Sequence, residues 1–304
     1  MRARLLHRIA NAGIQQDKGN NLIAFSGGVD SSVVAYAVNL VFPHNSLCIL
    51  GRSASLPNDQ LEIARKVAQY IGINLTEVET NEGQSEQYIK NEGMSCYSCK
   101  THLYSALNSV MTHAKDNQTA PRRVVLFNGA NKDDLVDSTR VGLLAAQDFN
   151  VSSPLDEFSK LQVRALAKEF GLFNHDYAAS PCLRSRLAFG VTATEENLRR
   201  IERAEQLVRQ NLQIGLQQNM RVRHISSEFT SSNSISSSSG ERPVGSARIE
   251  LDGDFLQGLQ EVDGGERLQR LAEQVSQLGF VKVVFQPFRS GGVAAVRRET
   301  SLQL

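Results

Sequence analysis

The string Ser26-Gly27-Gly28-Val29-Asp30-Ser31-Ser32 constrains this chain more than any other feature, because of what flanks it. Residues 21–26 (NLIAFS) read as a buried strand and residues 31–41 as the helix that follows. Glycine lets the backbone approach an anion closely, and a helix N-terminus supplies N–H groups and the positive end of its dipole. Ser26, Ser31 and Ser32 add hydroxyls. Asp30 is an acid beside an expected phosphate site, which makes sense if it holds Mg²⁺. No lysine follows the glycines, so this is not a GxxxxGK[ST] loop. The plainer alternative is a glycine-containing turn that binds nothing.

The first 180 residues or so continue the alternation of strand and helix that marks a doubly wound, mostly parallel sheet. Strands are expected at 47–50, 75–79 and 124–128, and helices at 59–71, closed by Gly72, and at 96–114. A further helix is expected at 159–170, with Ser159 as cap, Leu161, Ala165, Leu166 and Ala167 facing the core, and Gly171 as stop. The basic start reads as a short amphipathic helix with Leu5, Ile9 and Ala12 on one face, rather than a transit peptide. After about residue 188 the rhythm changes. A charged amphipathic helix (194–211), short strands (220–225, 247–251), a helix (265–278) and a strand (281–286) compose a small α+β unit. The division is therefore a domain at 1–187 and a smaller one at 188–304, the latter expected to bind substrate or support oligomerisation. Nine of the fifteen residues at 226–240 are serine, too little apolar surface to offset ordering, so a mobile loop is expected there.

Composition narrows the function classes. A formal net charge of +1 lacks the basic surplus of a general nucleic-acid binder. No apolar run approaches the ~20 residues of a membrane-spanning helix, and the start has no secretory h-region, so a cytoplasmic protein is expected. In a reducing compartment Cys48, Cys96, Cys99 and Cys182 read as ligands or nucleophiles rather than disulfides. Cys48 lies inside an expected strand and is assigned no chemistry.

The SGGVDS string resembles the signature of the N-type ATP pyrophosphatases, or PP-loop proteins. That resemblance implies cleavage of ATP between its α and β phosphates, with the loop holding the leaving pyrophosphate. Only 25 residues precede Ser26, too few for the amidase unit of the glutamine-dependent relatives, which lowers the amidating readings. Further segments look like the LarE family of ATP-dependent sulfur transferases, which build the nickel-pincer nucleotide. They are the acidic loop Gly129-Ala-Asn-Lys-Asp133-Asp134-Leu-Val-Asp137-Ser-Thr-Arg140-Val-Gly142, Pro154-Leu155 with the helix after it, and Ser180-Pro-Cys182-Leu-Arg-Ser-Arg186. Arg221-Val-Arg223, Ala247-Arg-Ile-Glu250-Leu and Phe288-Arg289-Ser-Gly291 complete the likeness, which spans most of residues 20–292. Val141 and Ala188 stand where the family usually has proline.

By that resemblance Cys182 either gives up its own sulfur or helps to hold an iron–sulfur cluster. Cys96-Tyr-Ser-Cys99 has a Cx₂C spacing that can share one metal centre, which favours a [4Fe-4S] cluster on Cys96, Cys99 and Cys182 with one iron open for sulfide. A redox pair, a zinc site that adds His102, and unrelated buried thiols remain alternatives. Arg221 and Arg223 lie two apart on a strand and share a face, and Arg289 sits in a glycine turn. Guanidinium forks suit phosphate, so the resemblance assigns these three to the nucleotide substrate's phosphate or pyrophosphate, against the alternative of a solvated strand face, and Gly129 to cofactor binding. Lys100 could also reach phosphate, and Glu205 and Asp254 loosely match acidic metal positions. The leading expectation is adenylation of a carboxylate on a pyridinium dicarboxylate mononucleotide, followed by attack of sulfide from the cluster or another sulfur donor, in a possible homo-oligomer. A tRNA thiolase and a non-catalytic, nucleotide-responsive iron–sulfur protein are the competing readings.

Overall fold

The computed structural model describes residues 1–113, 123–137, 140–225, 245–262 and 264–289. The serine-rich stretch lies outside them, as do residues 290–304. The chain forms two compact units: Met1–Tyr88 with Gly93–Ser180, and Ile89–Glu92 with Pro181–Leu304.

In the first unit the elements run α1 (Arg2–Ala12), β1 (Gly19–Ala24), α2 (Val29–Val41), β2 (Ser46–Arg52), α3 (Asn58–Ile71), β3 (Leu75–Glu79), α4 (Glu86–Lys90), α5 (Ser95–His113), β4 (Arg123–Phe127), α6 (Lys132–Leu135), α7 (Gly142–Asp148) and α8 (Lys160–Glu169). The four strands are all parallel in the order β3-β2-β1-β4. Single parallel bridges from Phe127 to Ser152 and from Asn131 to Leu155 carry the next segment along β4. Right-handed crossovers that step outward from β1 to β3 and then return to β4 must place their helices on opposite faces. The core divides accordingly. Ile23 and Phe25 pack with α1, α2, α3 and α8, while Leu22, Ile49 and Leu126 pack with Leu103, Tyr104 and Leu107 of α5 and Ala145 and Ala146 of α7.

The local signals act as their chemistry requires. Gly72 closes α3 at φ 73°, and Ser159 caps α8 in a reciprocal box with Gln162. Two face assignments shift. α8 buries Val163, Leu166 and Ala167, whereas Leu161 is 80% exposed and Ala165 lies outward, because the helix turns its 163/166/167/170 stripe to the sheet. Ala12 is also exposed, since the buried stripe of α1 is carried by Leu5 and Ile9. α4, α6 and α7 carry no element in the sequence reading, and neither does the helix Gly253–Val262 of the second unit.

The second unit holds a 3₁₀ turn at Leu183–Arg186, α9 (Glu195–Leu212), β5 (Met220–Ile225), β6 (Ser246–Leu251), α10 (Gly253–Val262), α11 (Glu266–Ser276) and β7 (Lys282–Pro287). β6 is central, antiparallel to β5 and parallel to β7. Met220, Val222, Ala247, Ile249 and Leu251 face a core shared with Ala204 and Val208 of α9 and Leu268, Leu271 and Val275 of α11. The alternate residues Arg221, Arg223, Arg248 and Glu250 share the opposite face, with Arg221 opposite Glu250 and Arg223 opposite Arg248. Among the described residues no helix is long and apolar enough to cross a membrane.

Candidate active site

In the sheet order β3-β2-β1-β4 the direction of winding reverses between β1 and β4, and ligands of open α/β sheets bind beyond the carboxyl ends of the strands at such a point. The SGGVDS loop follows β1 there, and Asn128-Gly129 follows β4. Gly27 adopts φ 70°, and a Cβ on it would lie 2.5 Å from Ala64 Cα of α3, so backbone conformation and space both demand glycine. A Cβ on Gly129 would lie 2.8 Å from Ser31 N and 2.9 Å from Asp30 C, so the exit of β4 closes directly onto the first turn of α2. Gly28, the N-cap of α2, has no side chain to offer the first-turn N–H groups.

The three serines do more than present hydroxyls. Ser31 Oγ and Ser32 Oγ both donate to Gly28 O, at 3.0 and 2.8 Å. Ser31 Oγ also lies 3.1 Å from Ser26 Oγ and accepts from Ser26 N at 3.3 Å. Gln60 Nε2 donates to Ser26 O at 2.7 Å, and Asn174 Nδ2 to Gly27 O at 3.0 Å and Ser32 Oγ at 3.1 Å.

Asp30 sits beside this loop and accepts a 3.2 Å hydrogen bond from Asn131 Nδ2. Burial raises its pKa above the ordinary aspartate value. Lys160 opposes that shift, Asp134 reinforces it, and Asn131 and Arg164 oppose it. A desolvated carboxylate next to an anion loop fits a divalent cation, which would relieve both the desolvation and the repulsion. Asn131 is itself fixed by a capping box with Asp134, and Arg140 pairs with Asp134 at 2.7 Å.

Within the second unit two arginines pair with two glutamates, and two further arginines, Arg221 and Arg248, lie on the same sheet face as Arg223 and Glu250. Arg186, only 2% exposed, pairs with Glu205 at 3.0 Å, and Glu205 also accepts from Val222 N at 3.1 Å. Arg223 pairs with Glu250 at 2.7 Å and donates to Ser185 O at 3.1 Å. Arg221 lies over the ring of Phe288, with 4.6 Å between guanidinium carbon and centroid. Among the described residues Arg221 Nε, Arg223 Nη2 and Arg248 Nε are buried with no hydrogen-bond partner, as is Glu250 Oε2. Burial, then the neighbouring charges of Arg186 and Arg223, lower the Arg221 pKa to about 10. Unmatched buried donors and a cationic surplus are what an anion such as phosphate would satisfy. Arg221 and Arg223 do share a face, as their spacing requires, but Arg223 is locked to Glu250 rather than solvated. Arg289, after Phe288, is exposed. Glu205 is taken up by Arg186 and the β5 backbone, while Asp254 is exposed in the first turn of α10.

The cysteines divide between the units. Cys96 and Cys99 are half-buried in the first turns of α5, and Cys99 Sγ donates to Glu82 Oε1 at 3.8 Å. Glu82 is 1% exposed, and among the described residues its Oε2 has no partner. His102 Nδ1 donates to Ser98 O at 2.8 Å. Cys182, in the second unit, caps the 3₁₀ turn. Its carbonyl accepts from Ser185 N at 3.0 Å, Ser185 Oγ at 2.7 Å and Arg186 Nη1 at 3.2 Å. Arg184 Nη1 donates to Asn91 Oδ1 at 2.9 Å, and Asn91 Nδ2 to Ala188 O at 2.7 Å, which fastens the cysteine segment to Ile89–Glu92. Cys48 is fully buried in β2, and burial pushes its thiol pKa up, so it is inert. None of the four cysteines is in a disulfide, and among the described residues no three or more His, Cys, Asp or Glu side chains stand together as a metal site.

Sequence reasoning did not find Gln60 or Asn174 as site residues, and it gave no role to Asn131 or Arg248 within the strings that contain them. Gln60, Asn174 and Asn131 act from elements remote in sequence from the groups they hold.

The family pattern described as NAD synthase matches residues 12–196. A Synechocystis protein described only as uncharacterized is 35% identical over 275 residues, 89% of this chain and 90% of that protein. The pyridinium-3,5-bisthiocarboxylic acid mononucleotide synthase of Lactiplantibacillus plantarum is 33% identical over 191 residues, 62% of this chain and 66% of its own. The glutamine-hydrolyzing GMP synthase of Oleidesulfovibrio alaskensis is 26% identical over 206 residues, only 39% of its length.

Proposed function

Since the chain belongs to the NAD synthase family, with the ATP-using PP-loop fold, we propose that it is an ATP-dependent sulfurtransferase that adenylates a carboxylate of a pyridinium dicarboxylate mononucleotide and replaces a carboxylate oxygen with sulfur. The observation that carries the ATP half is the loop geometry: a positive-φ Gly27 against α3, a side-chain-free cap on α2, and Asp30 beside them. The substrate half is supported by the synthase from L. plantarum, whose name states the bisthiocarboxylic product, and by the cationic surplus around Arg221, which suits a mononucleotide phosphate.

The substrate carboxylate oxygen attacks the α-phosphorus of ATP, the bond to the β-phosphate oxygen breaks, and pyrophosphate leaves, held by the Ser26–Ser32 loop. The acyl adenylate now carries a good leaving group where the carboxylate had a poor one. A sulfur nucleophile attacks its carbonyl carbon, AMP departs with the oxygen–phosphorus bond intact, and a thiocarboxylate remains. Asp30 would hold Mg²⁺, which when bound offsets charge on the phosphates. Arg221, Arg223 and Arg289 orient the substrate's phosphate. The finer reading of the sulfur source is a [4Fe-4S] cluster on Cys96, Cys99 and Cys182. The Cx₂C spacing on one helical turn and four cysteines outside any disulfide support it.

The test combines anaerobic purification and quantification of iron and acid-labile sulfide with a pyrophosphate-release assay on the pyridinium dicarboxylate mononucleotide. Substrate-dependent pyrophosphate release and a mass gain of one sulfur-for-oxygen exchange are expected. Release without thiolation, or undiminished thiolation by the Cys182→Ser protein with external sulfide, would remove the sulfur role from these thiols.

A further inference from the structure

We propose that Gln60 and Asn174 are positioning residues of the pyrophosphate loop: their side-chain amides hold consecutive carbonyls on one side so that the following N–H groups face the anion. This rests on the ATP-cleaving reading of the loop and adds the machinery that shapes it.

A planar trans peptide points the carbonyl of one residue and the N–H of the next in opposite directions. Fixing a carbonyl therefore aims the N–H after it. Ser26 O is held by Gln60 Nε2 at 2.7 Å, which aims Gly27 N–H the other way. Gly27 O is held by Asn174 Nδ2 at 3.0 Å, which aims Gly28 N–H to the other side, where it meets Ser26 Oγ at 3.4 Å and an arriving anion would compete for it. Gly28 O is held by Ser31 Oγ and Ser32 Oγ, which aims Val29 N–H. Three successive peptides are thus set, and successive N–H groups turned to one side form an anion-binding concavity. Glycine at 27 and 28 makes the backbone pliable; Gly28 O is also met by Ser32 N–H at 3.0 Å, so the loop sets that peptide from within, and the two side-chain amides act at Ser26 O and Gly27 O.

The two amides come from different places. Gln60 lies in the first turn of α3, one turn before Ala64, the residue whose backbone forbids a Cβ on Gly27. Asn174 follows α8 and is 1% exposed. Both hydrogens of its amide are used, one on Gly27 O and one on Ser32 Oγ, and that hydroxyl donates onward to Gly28 O at 2.8 Å. One buried amide so governs two consecutive peptides. The orientation of that amide is fixed, because reversal would set Oδ1 against Gly27 O. The cost is visible: among the described residues Asn174 Oδ1 is buried without a partner, an arrangement that stability alone does not favour.

The experiment uses the full chain and titrates it with magnesium pyrophosphate and, separately, with AMP, by calorimetry. Gln60→Glu and Asn174→Asp keep shape but replace the donor with an acceptor at neutral pH. Each is expected to weaken pyrophosphate at least tenfold while AMP affinity stays within twofold. Gln60→Met and Asn174→Ala, which remove the donor without adding charge, are measured beside them and stand in if the acidic variants do not fold. Unchanged pyrophosphate affinity in the folded variants overturns the proposal, as does equal loss of pyrophosphate and AMP, which would mark a general packing role. A parent protein that binds no pyrophosphate overturns the reading of the loop itself, a distinct result.

Discussion

Alanine at each of three glycines separates what the fold demands from what a ligand demands. At Gly27 alanine meets both a left-handed backbone, about 1–2 kcal/mol for an L-residue, and a Cβ 2.5 Å from Ala64 Cα, overpacking of about 1–3 kcal/mol. Reduced freedom of the unfolded chain returns about 0.4–1 kcal/mol. The net loss is about 2–4 kcal/mol, and at about 2–4 °C per kcal/mol the melting temperature falls on the order of 10 °C. Gly129→Ala has no positive φ but presses on Ser31 N at 2.8 Å, backbone that cannot swing aside, so roughly half that loss is expected. Gly28→Ala is different. Its φ is −72° and the nearest atom to the new Cβ is Ser26 Oγ at 3.4 Å, an ordinary contact. The exchange of Gly for Ala at an N-cap costs at most about 1 kcal/mol, so the protein should melt within about 4 °C of the parent. Its Cβ nonetheless projects where a phosphate would approach, and pyrophosphate affinity should fall at least tenfold, about 1.4 kcal/mol. Thermal denaturation with pyrophosphate calorimetry on the three variants decides it. A Gly28→Ala protein that binds pyrophosphate like the parent would refute the placement of the anion; a Gly27→Ala protein that melts like the parent would refute the steric argument.

Three further outcomes are expected. Arg186→Met leaves Glu205 nearly buried without its cation and should cost about 3–5 kcal/mol in chemical denaturation, far more than an exposed pair would. Asp30→Asn should raise the melting temperature while abolishing ATP cleavage. The Asp30 pKa is raised in the fold, so above that folded pKa its charge costs stability, and the gap between variant and parent should narrow as pH is lowered through it, read by melting scans across acid pH. Arg221→Met should leave ligand-free stability unchanged or higher and weaken phosphate binding. The folded pKa of about 10 lies below the usual arginine value, so the unfolded chain holds that proton more tightly and the charge is a cost throughout the range below about pH 10, measurable by denaturation with and without phosphate.

Much of the first unit was legible because its signals are local. The apolar run of β1, Gly72 in the left-handed region and the Ser159–Gln162 box each act through a few neighbouring residues, and each marks an element found where expected. The turns after β3 and β4 were less so. α4 and α6 have five and four residues, too short for a 3.6-residue period to declare itself, and α7 has seven. The inward face of α8 was legible only in part: Leu166 and Ala167 are buried as expected, but Leu161 and Ala165 are not, because the 161/165 and 163/166/167 stripes are both apolar and only the neighbouring sheet selects between them.

The same contrast between local and tertiary information governs the site. Groups that would touch a ligand sit in contiguous strings, since a turn and a helix start must be built from consecutive residues: Ser26 to Ser32, Gly129, and the alternation Arg221, Arg223. Groups that hold those strings in place need only arrive from somewhere, and they arrive from far away in the chain. Asn131 reaches Asp30 across 101 positions, Asn174 reaches Gly27 across 147, and Arg223 reaches Glu250 across 27. A buried asparagine or glutamine in an unremarkable helix turn has no sequence context that distinguishes holding a loop from filling a core. What distinguishes it is geometric: whether its amide meets a carbonyl whose peptide has its N–H aimed at the ligand. Gln60 and Asn174 meet that condition on two consecutive peptides, so the anion-binding shape of this loop is a property of α3 and the segment after α8 as much as of its own glycines.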